Sequence, residues 1–283
     1  MKKLIFGFCL LLSSSSSFSQ DSKYDHREAF HPQFYPYPGN DFRSASGEPG
    51  HRYWQNKADY KITCSLDTAT HVVAGDLEII YTNNSPDQLK FLWLQLDQNI
   101  YKQDSRGSAT TTQTGGRWAN AEYTNGDIIK SVNIETAGKI NKAKYNVTDT
   151  RMKIELVESL KASGNKIKLL IKFEFQVPEY GTDRMGRLMT KDGIIYEVAQ
   201  WFPRMCVYDD IQGWNTLPYL GAGEFYCEYG DYEFSITAPS NLIIVGSGEL
   251  INPLECLTPL QQKRWNDAKN SDSTIIIRGA NEV

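Results

Sequence analysis

The sequence predicts an all-β fold, a sandwich of about ten or more mostly antiparallel strands with one short helix, on three observations. Apolar and polar residues alternate with a period of two through most of the stretch from Tyr53 to Val177. Clusters of Asn, Asp, Gly, Ser and Pro interrupt that alternation at short intervals, as turns do. Helix signals gather in a single segment, Pro259–Lys269, where Thr258 and Gln261 form a capping box and Pro259 takes the first helical position.

The first 20 residues read as a leader. Lys2 and Lys3 precede the apolar run Leu4–Leu12, and Ser17-Phe18-Ser19 suits a signal peptidase. The run is too short to span a bilayer, which takes about 20 residues. Export to the periplasm or outside the cell is therefore expected. Without the leader, 28 basic residues face 34 acidic ones, a net charge of −6. With no basic cluster, nucleic acid and anionic membrane are not expected partners.

Residues 21–52 form an irregular stretch in which His31–Asn40 alternates proline with aromatic rings, a pattern unsuited to a helix or a central strand. It serves either as an arm lying on the domain or as a linker. From Tyr53 onward lies the β-domain, residues 53–283. Tyr60, Ile62, Cys64 and Leu66 alternate with Lys61, Thr63, Ser65 and Asp67, and Leu77, Ile79 and Tyr81 alternate with Asp76, Glu78 and Thr82. A turn joins these two strands, another falls at Asn83–Asp87, and Phe91–Leu96 reads as a strand buried on both faces. Residues 103–127 are polar and predict a long surface excursion. Strands are expected at 131–135, 151–157 and 166–177. The last sets Ile167, Leu169, Ile171, Phe173, Phe175 and Val177 on one face. Further strands are expected at 242–245, 247–250 and 273–278, and the ending at Val283, just after a strand, looks like a cut.

Between these lies the stretch from Gly193 to Pro239, where a strand leads into a loop dense in Tyr, Trp, Asp, Gly and Pro. It is the natural place for binding chemistry. Catalysis by the chain itself finds little support. The mature sequence has only His26, His31, His51 and His71, with no pair spaced i, i+4 on a helix, so no metal site is expected. There is no GxSxG elbow, and Gly221-Ala222-Gly223 is followed by no helix. Asp209-Asp210 reads as structural, because neighbouring carboxylates on a strand point to opposite faces. Four cysteines remain after the leader: Cys64, Cys206, Cys227 and Cys256. They allow three disulfide connectivities, and Cys206 with Cys227, flanking the central loop, is the expected pair. A recognition surface remains, gathering Gln200, Trp201, Tyr208, Asp209, Trp214, Tyr219 and Glu224. Its rings and acceptors suit a cationic amine, and the same rings equally suit a sandwich core.

These residues carry a resemblance. Tyr60–Asp67 with Gly75–Pro86, then Leu92–Leu96 and Asn99-Ile100-Tyr101, then Gln200-Trp201-Phe202-Pro203-Arg204, Val207–Asp210, Gly213-Trp214, Tyr219–Gly221 and Gly223–Tyr226 follow one another in the order and spacing of a known family. The chain resembles the N-terminal β-domain of the gluzincin zinc aminopeptidases, the group of aminopeptidase N and leukotriene hydrolase, and looks closest to secreted bacterial members. The resemblance implies a saddle-shaped β-structure that packs on a separate catalytic domain. That catalytic domain, with its HExxH motif and its zinc, is absent from this chain, so catalytic and metal residues here are none and the chain alone is expected to be inactive. It further implies that Gln200 contacts the free N-terminus of a peptide substrate, with Trp201, Tyr208, Asp209 and Trp214 as neighbours. The family's Thr-Gln-x-Gln or Thr-Gln-x-Glu stands here as Ala199-Gln200-Trp201-Phe202. A non-enzymatic secreted module that binds glycans or peptides is the alternative.

Overall fold

The computed structural model describes residues 39–110, 122–179, 184–221, 223, 225–280 and 282. The expected leader, residues 21–38 of the arm, the middle of the polar excursion and Glu224 lie outside them. The chain divides into two units, Met1–Tyr53 and Trp54–Val283. Of the first, residues 39–53 fold as a tight loop closed by a bridge between Arg43 and Pro49. The Asn40 side chain accepts hydrogen bonds there from the Phe42 and Arg43 backbones.

The second unit is a β-sandwich. Its strands are β1 (Lys57–Asp67), β2 (Val72–Asn83), β3 (Leu89–Gln95), β4 (Ile128–Thr136), β5 (Lys139–Lys142), β6 (Lys144–Thr148) and β7 (Arg151–Leu160). They continue as β8 (Asn165–Gln176), β9 (Met185–Thr190), β10 (Gly193–Val198), β11 (Arg204–Met205), β12 (Tyr208–Asp209), β13 (Gly213–Trp214) and β14 (Tyr232–Thr237). A six-stranded sheet runs β14-β1-β2-β8-β4-β5 and a four-stranded sheet runs β11-β3-β7-β6, while β9 with β10 and β12 with β13 make two small ribbons. Every pairing is antiparallel except β14 on β1, which is parallel.

The alternation places the core. Ile62, Leu77, Ile79, Leu169, Ile171, Phe173 and Phe175 from the larger sheet meet Leu92, Leu94, Met152 and Ile154 from the smaller in one buried cluster. The opposite face of the larger sheet carries charge in register, with Lys168 reaching both Glu78 and Glu135 at 2.9 and 3.4 Å. Such exposed pairs stabilise by at most about 1 kcal/mol each, so apolar burial carries the sandwich. On β3, Leu92 and Leu94 are fully buried but Phe91 and Trp93 only half so. The strand is thus buried on one face rather than two, and the Lys153 ammonium lies over the Phe91 ring.

The helices are short: a 3₁₀ turn at Asp97–Tyr101, α1 (Arg106–Thr110) inside the polar excursion, α2 (Pro253–Cys256) and α3 (Pro259–Lys269). The helix expected at Pro259–Lys269 is present with its capping box, the Thr258 hydroxyl accepting from Gln261 N and the Gln261 carboxamide from Thr258 N. Three expected strands are not. Residues 242–245, 247–250 and 273–278 run without a ladder partner, and Ile243, Val245 and Ile276 stand exposed. Alternation alone leaves backbone N–H and C=O groups unmatched, and no sheet edge takes these segments up.

One glycine sets how the approach to β14 meets β1. An added Cβ at Gly230 would lie 1.6 Å from the Ala58 carbonyl oxygen, because Ala58 N–H reaches Tyr229 O at 2.9 Å and Tyr60 N–H reaches Asp231 O at 2.8 Å. Only a residue without a side chain lets β14 start its parallel pairing on β1. We predict that Gly230→Ala lowers stability by about 1–3 kcal/mol or more. Gly246→Ala, whose Cβ meets only the Phe234 ring at 3.5 Å, should be near neutral. Urea denaturation of both variants measures the difference; equal midpoints would refute it.

Candidate functional site

The segment after β10 passes from one sheet to the other. Val198 ends the β9–β10 ribbon opposite Met185, and after Pro203 the chain joins the edge of the four-stranded sheet, Arg204 opposite Gln95 and Met205 opposite Leu94. Met205 N–H donates to the Tyr60 hydroxyl on β1 at 2.9 Å, so this edge is pinned to the larger sheet as well. The chain then turns through the β12–β13 ribbon. Asp209 Oδ1 accepts from Ile211 N and Gln212 N, Asp209 Oδ2 accepts from Asn215 Nδ2, and Gly213 supplies a φ of 70°. It returns along residues 225–231 to β14.

Gln200 lies in the five-residue turn between β10 and β11. Its φ is 47°, in the left-handed region that costs a non-glycine residue about 1–2 kcal/mol. Two hydrogen bonds hold that backbone: Gln98 Nε2 donates to Gln200 O at 2.8 Å and to Ala199 O at 3.2 Å. The Gln200 side chain is half-buried and makes no hydrogen bond to a described residue. Strain held in place by buried neighbours, next to an uncommitted polar group, is a mark of functional positions.

The other expected residues have structural partners. Trp201 meets Phe202 edge-on at 5.0 Å, and Phe202 meets Tyr60 at 5.5 Å and Tyr232 at 6.2 Å. Tyr208 stacks on Trp54 at 5.7 Å and meets Trp214 edge-on at 5.2 Å, while Trp214 lies over the buried Tyr81 ring at 6.1 Å. Tyr219 tilts against Phe225 at 5.0 Å. These rings are half-buried extensions of the core and form no outward platform. The Tyr208 hydroxyl donates to Asp87 Oδ2 at 2.8 Å, and burial together with that bond pushes its pKa up to about 12. Asp209 is occupied by its turn.

Three groups that sequence reasoning did not assign a role organise the site. Asp97, only 1% exposed, accepts from Arg204 Nε at 2.9 Å and from Arg204 Nη2 at 2.5 Å, both on Oδ2, leaving Oδ1 without a donor. Burial pushes the Asp97 carboxyl up despite the arginine's pull, and the same burial, added to the Asp97 charge, pushes Asp127 well above the carboxylate range. Arg204 also donates to Cys227 Sγ at 2.7 Å and lies 4.5 Å from the Phe225 ring centre. The expected Cys206–Cys227 disulfide is not formed: all four described cysteines are free. Cys206 is sealed in the sheet edge with its N–H on Trp93 O, and Cys227 is exposed and held by Arg204. Buried Glu228 is the third group, its Oε1 accepting from Tyr208 N at 3.2 Å. Burial, offset by that bond, raises its pKa to about 7, with Asp209 adding repulsion.

No group of three or more His, Cys, Asp or Glu able to hold a metal occurs among the described residues. No described helix is long and apolar enough to cross a membrane.

No protein-family model matches the chain, and no curated protein matches it. Among solved structures, a mutant M1 zinc metallopeptidase from Deinococcus radiodurans bound to a Tyr-Ser-Ala substrate is similar over 66% of this chain and 33% of its own, at TM-score 0.33 and 10% identity. A two-domain M1 zinc metallopeptidase mutant bound to L-tryptophan is similar over 68% of this chain and 35% of its own, at TM-score 0.34 and 10% identity. The M1 zinc metallopeptidase from Deinococcus radiodurans itself gives TM-score 0.32 and 12% identity over 68% of this chain and 34% of its own. The chain thus spans about a third of the length of these structures. At such identity and scores the similarity transfers neither activity nor residue roles.

Glu228 gives the site a pH dependence with a definite sign. Its folded pKa of about 7 lies above the ordinary 4.5, so between those values the folded chain keeps a proton that the unfolded chain has released. Stability then falls as pH rises through that window, by on the order of 2–3 kcal/mol. In Glu228→Gln, which keeps an acceptor for Tyr208 N, that loss should vanish. Denaturation from pH 4 to 8 should show the variant gaining on the wild type as pH rises; parallel profiles would rule the effect out.

Proposed function

We propose that this chain is the N-terminal substrate-cleft domain of a zinc-dependent, aminopeptidase-like metallopeptidase that hydrolyses peptides. Its part is to wall the cleft and hold the substrate's free N-terminus through the Gln200 carboxamide. The observation that carries this is Gln200 itself: a left-handed backbone fixed by two partly buried hydrogen bonds, and a half-exposed side chain with no described partner. A carboxamide oxygen accepts from an ammonium group without adding charge, so a free peptide amine is a fitting donor. The order and spacing of the motifs around it, from Tyr60 to Tyr226, support the same family.

Zinc, held by a separate catalytic domain, would supply Lewis acidity and an activated water. The described residues offer no ligand set for it, so no metal-dependent step is assigned to them. This chain's own share is binding and orientation, which accelerate a reaction only once the reacting group is in place. A non-enzymatic module that binds glycans or peptides is the second reading; the ring contacts of Trp201 with Phe202, and of Trp214 with Tyr208 and Tyr81, favour the cleft-wall reading over it.

Two readouts on the purified chain test the proposal. Given zinc and aminoacyl-anilides it should show no chelator-sensitive turnover, and such turnover would contradict the assignment. In an NMR titration, a tripeptide with a free N-terminus should shift the Gln200 side-chain amide signals, with a Kd of about 1 mM for so small a contact. The N-acetylated peptide should not. Equal responses to both peptides would sink the role given to Gln200.

A further inference from the structure

Gln98 sits in the 3₁₀ turn directly after Leu96, is 2% exposed, and spends its carboxamide donors on the two carbonyls at the start of the turn, Ala199 O and Gln200 O. The residue before it, Asp97, holds Arg204 at the far end of the same turn. Adjacent side chains of one short helix therefore grip both ends of the segment that presents Gln200. The helix is itself anchored. Leu96 N–H donates to Thr150 O, Asn99 Nδ2 donates to Asp149 O, and Asn99 Oδ1 accepts from Asp127 N.

A left-handed residue aims its side chain differently from one in the extended region, and the unfavourable conformation persists only where neighbours impose it. Here the imposing bond is on the Gln200 carbonyl itself. Resting on the assignment of Gln200 to the peptide amine, we propose that Gln98 is the positioning residue of that subsite. By holding the Ala199 and Gln200 carbonyls it sets where the Gln200 carboxamide points, and so the preference for a free N-terminus. Gln98 is too buried to reach the peptide and acts only through residue 200.

The test compares the wild type, Gln98→Met and Gln200→Ala for binding of a free-amine tripeptide against its N-acetylated form. Methionine keeps the length of Gln98 and removes the donors. In Gln98→Met the free-amine preference should fall about five- to thirty-fold, the worth of one or two lost hydrogen bonds, with amide signals away from residues 97–101 and 199–204 unchanged. A merely structural Gln98 would lower stability and leave the preference intact, which would overturn the proposal. Gln200→Ala separates the two levels: if it abolishes the preference while Gln98→Met keeps it, only the positioning role falls. If Gln200→Ala leaves the preference unchanged, the subsite assignment itself fails. Should Gln98→Met not fold, hydrogen exchange of the wild type decides. The Gln98 side-chain amide protons must exchange far more slowly than those of exposed glutamines such as Gln55, and equal rates refute the clamp.

Discussion

The ion pair of Asp97 with Arg204 is the constraint on which the rest of the site depends. A carboxylate this deeply enclosed is tolerable only with a partner of fixed geometry, and removing one member of such a pair typically costs about 3–5 kcal/mol. The arginine fork meets a single carboxylate oxygen, in a wall formed by β3, the 3₁₀ turn and the Phe225 ring. Once Arg204 is held there, β11 must lie on the edge of β3, and the five residues before it have little freedom. Gln98 takes up what remains. The positive φ of Gln200 is thus a consequence of closing a short turn between two anchored ends.

The same anchoring ties the small sheet to the large one. Met205 donates to the Tyr60 hydroxyl, and the aromatic contacts among Tyr60, Phe202 and Tyr232 continue from the turn onto the strand that pairs in parallel with β1. Anchoring of this kind fixes the shape of the turn, and a rigid turn would lose less freedom in binding the proposed peptide amine. The aromatics that look like a binding surface in one dimension are its scaffold in three. The Gln200 carboxamide in that turn has no hydrogen-bond partner among the described residues.

Much of the sandwich was legible in the chain, because half-buried strands write their geometry into alternation. Ile167 through Phe175 on β8 and Tyr60 through Leu66 on β1 read directly as a core face and an outer face. The α3 capping box is equally local. Residues 242–250 and 273–278 misled for the converse reason: alternation marks a segment able to form a strand, while a strand also needs an edge to pair with. The parallel docking of β14 depends on a contact between Gly230 and Ala58, far apart in sequence, and has no periodic signature. In the candidate site, Gln200 was singled out by the motif ending at Arg204, and its role there is a proposal. Asp97 and Gln98 were not, because their partners lie about a hundred residues away. One signal was available: Asp97, Gln98 and Asn99 are three polar residues directly following a strand whose Leu92, Leu94 and Leu96 are buried. Polar residues that continue a buried strand without a turn signal have partners to satisfy.

In the proposed mode of binding, a peptide's free N-terminus docks on Gln200 while the turn keeps its strained shape. A crystal structure of the chain with a bound tripeptide tests it most directly. The peptide ammonium should lie within about 2.7–3.2 Å of Gln200 Oε1, with the residue 200 backbone still left-handed and its carbonyl still on Gln98. A peptide bound with its amine elsewhere, or a relaxed Gln200 backbone with Gln98 turned away, would contradict it.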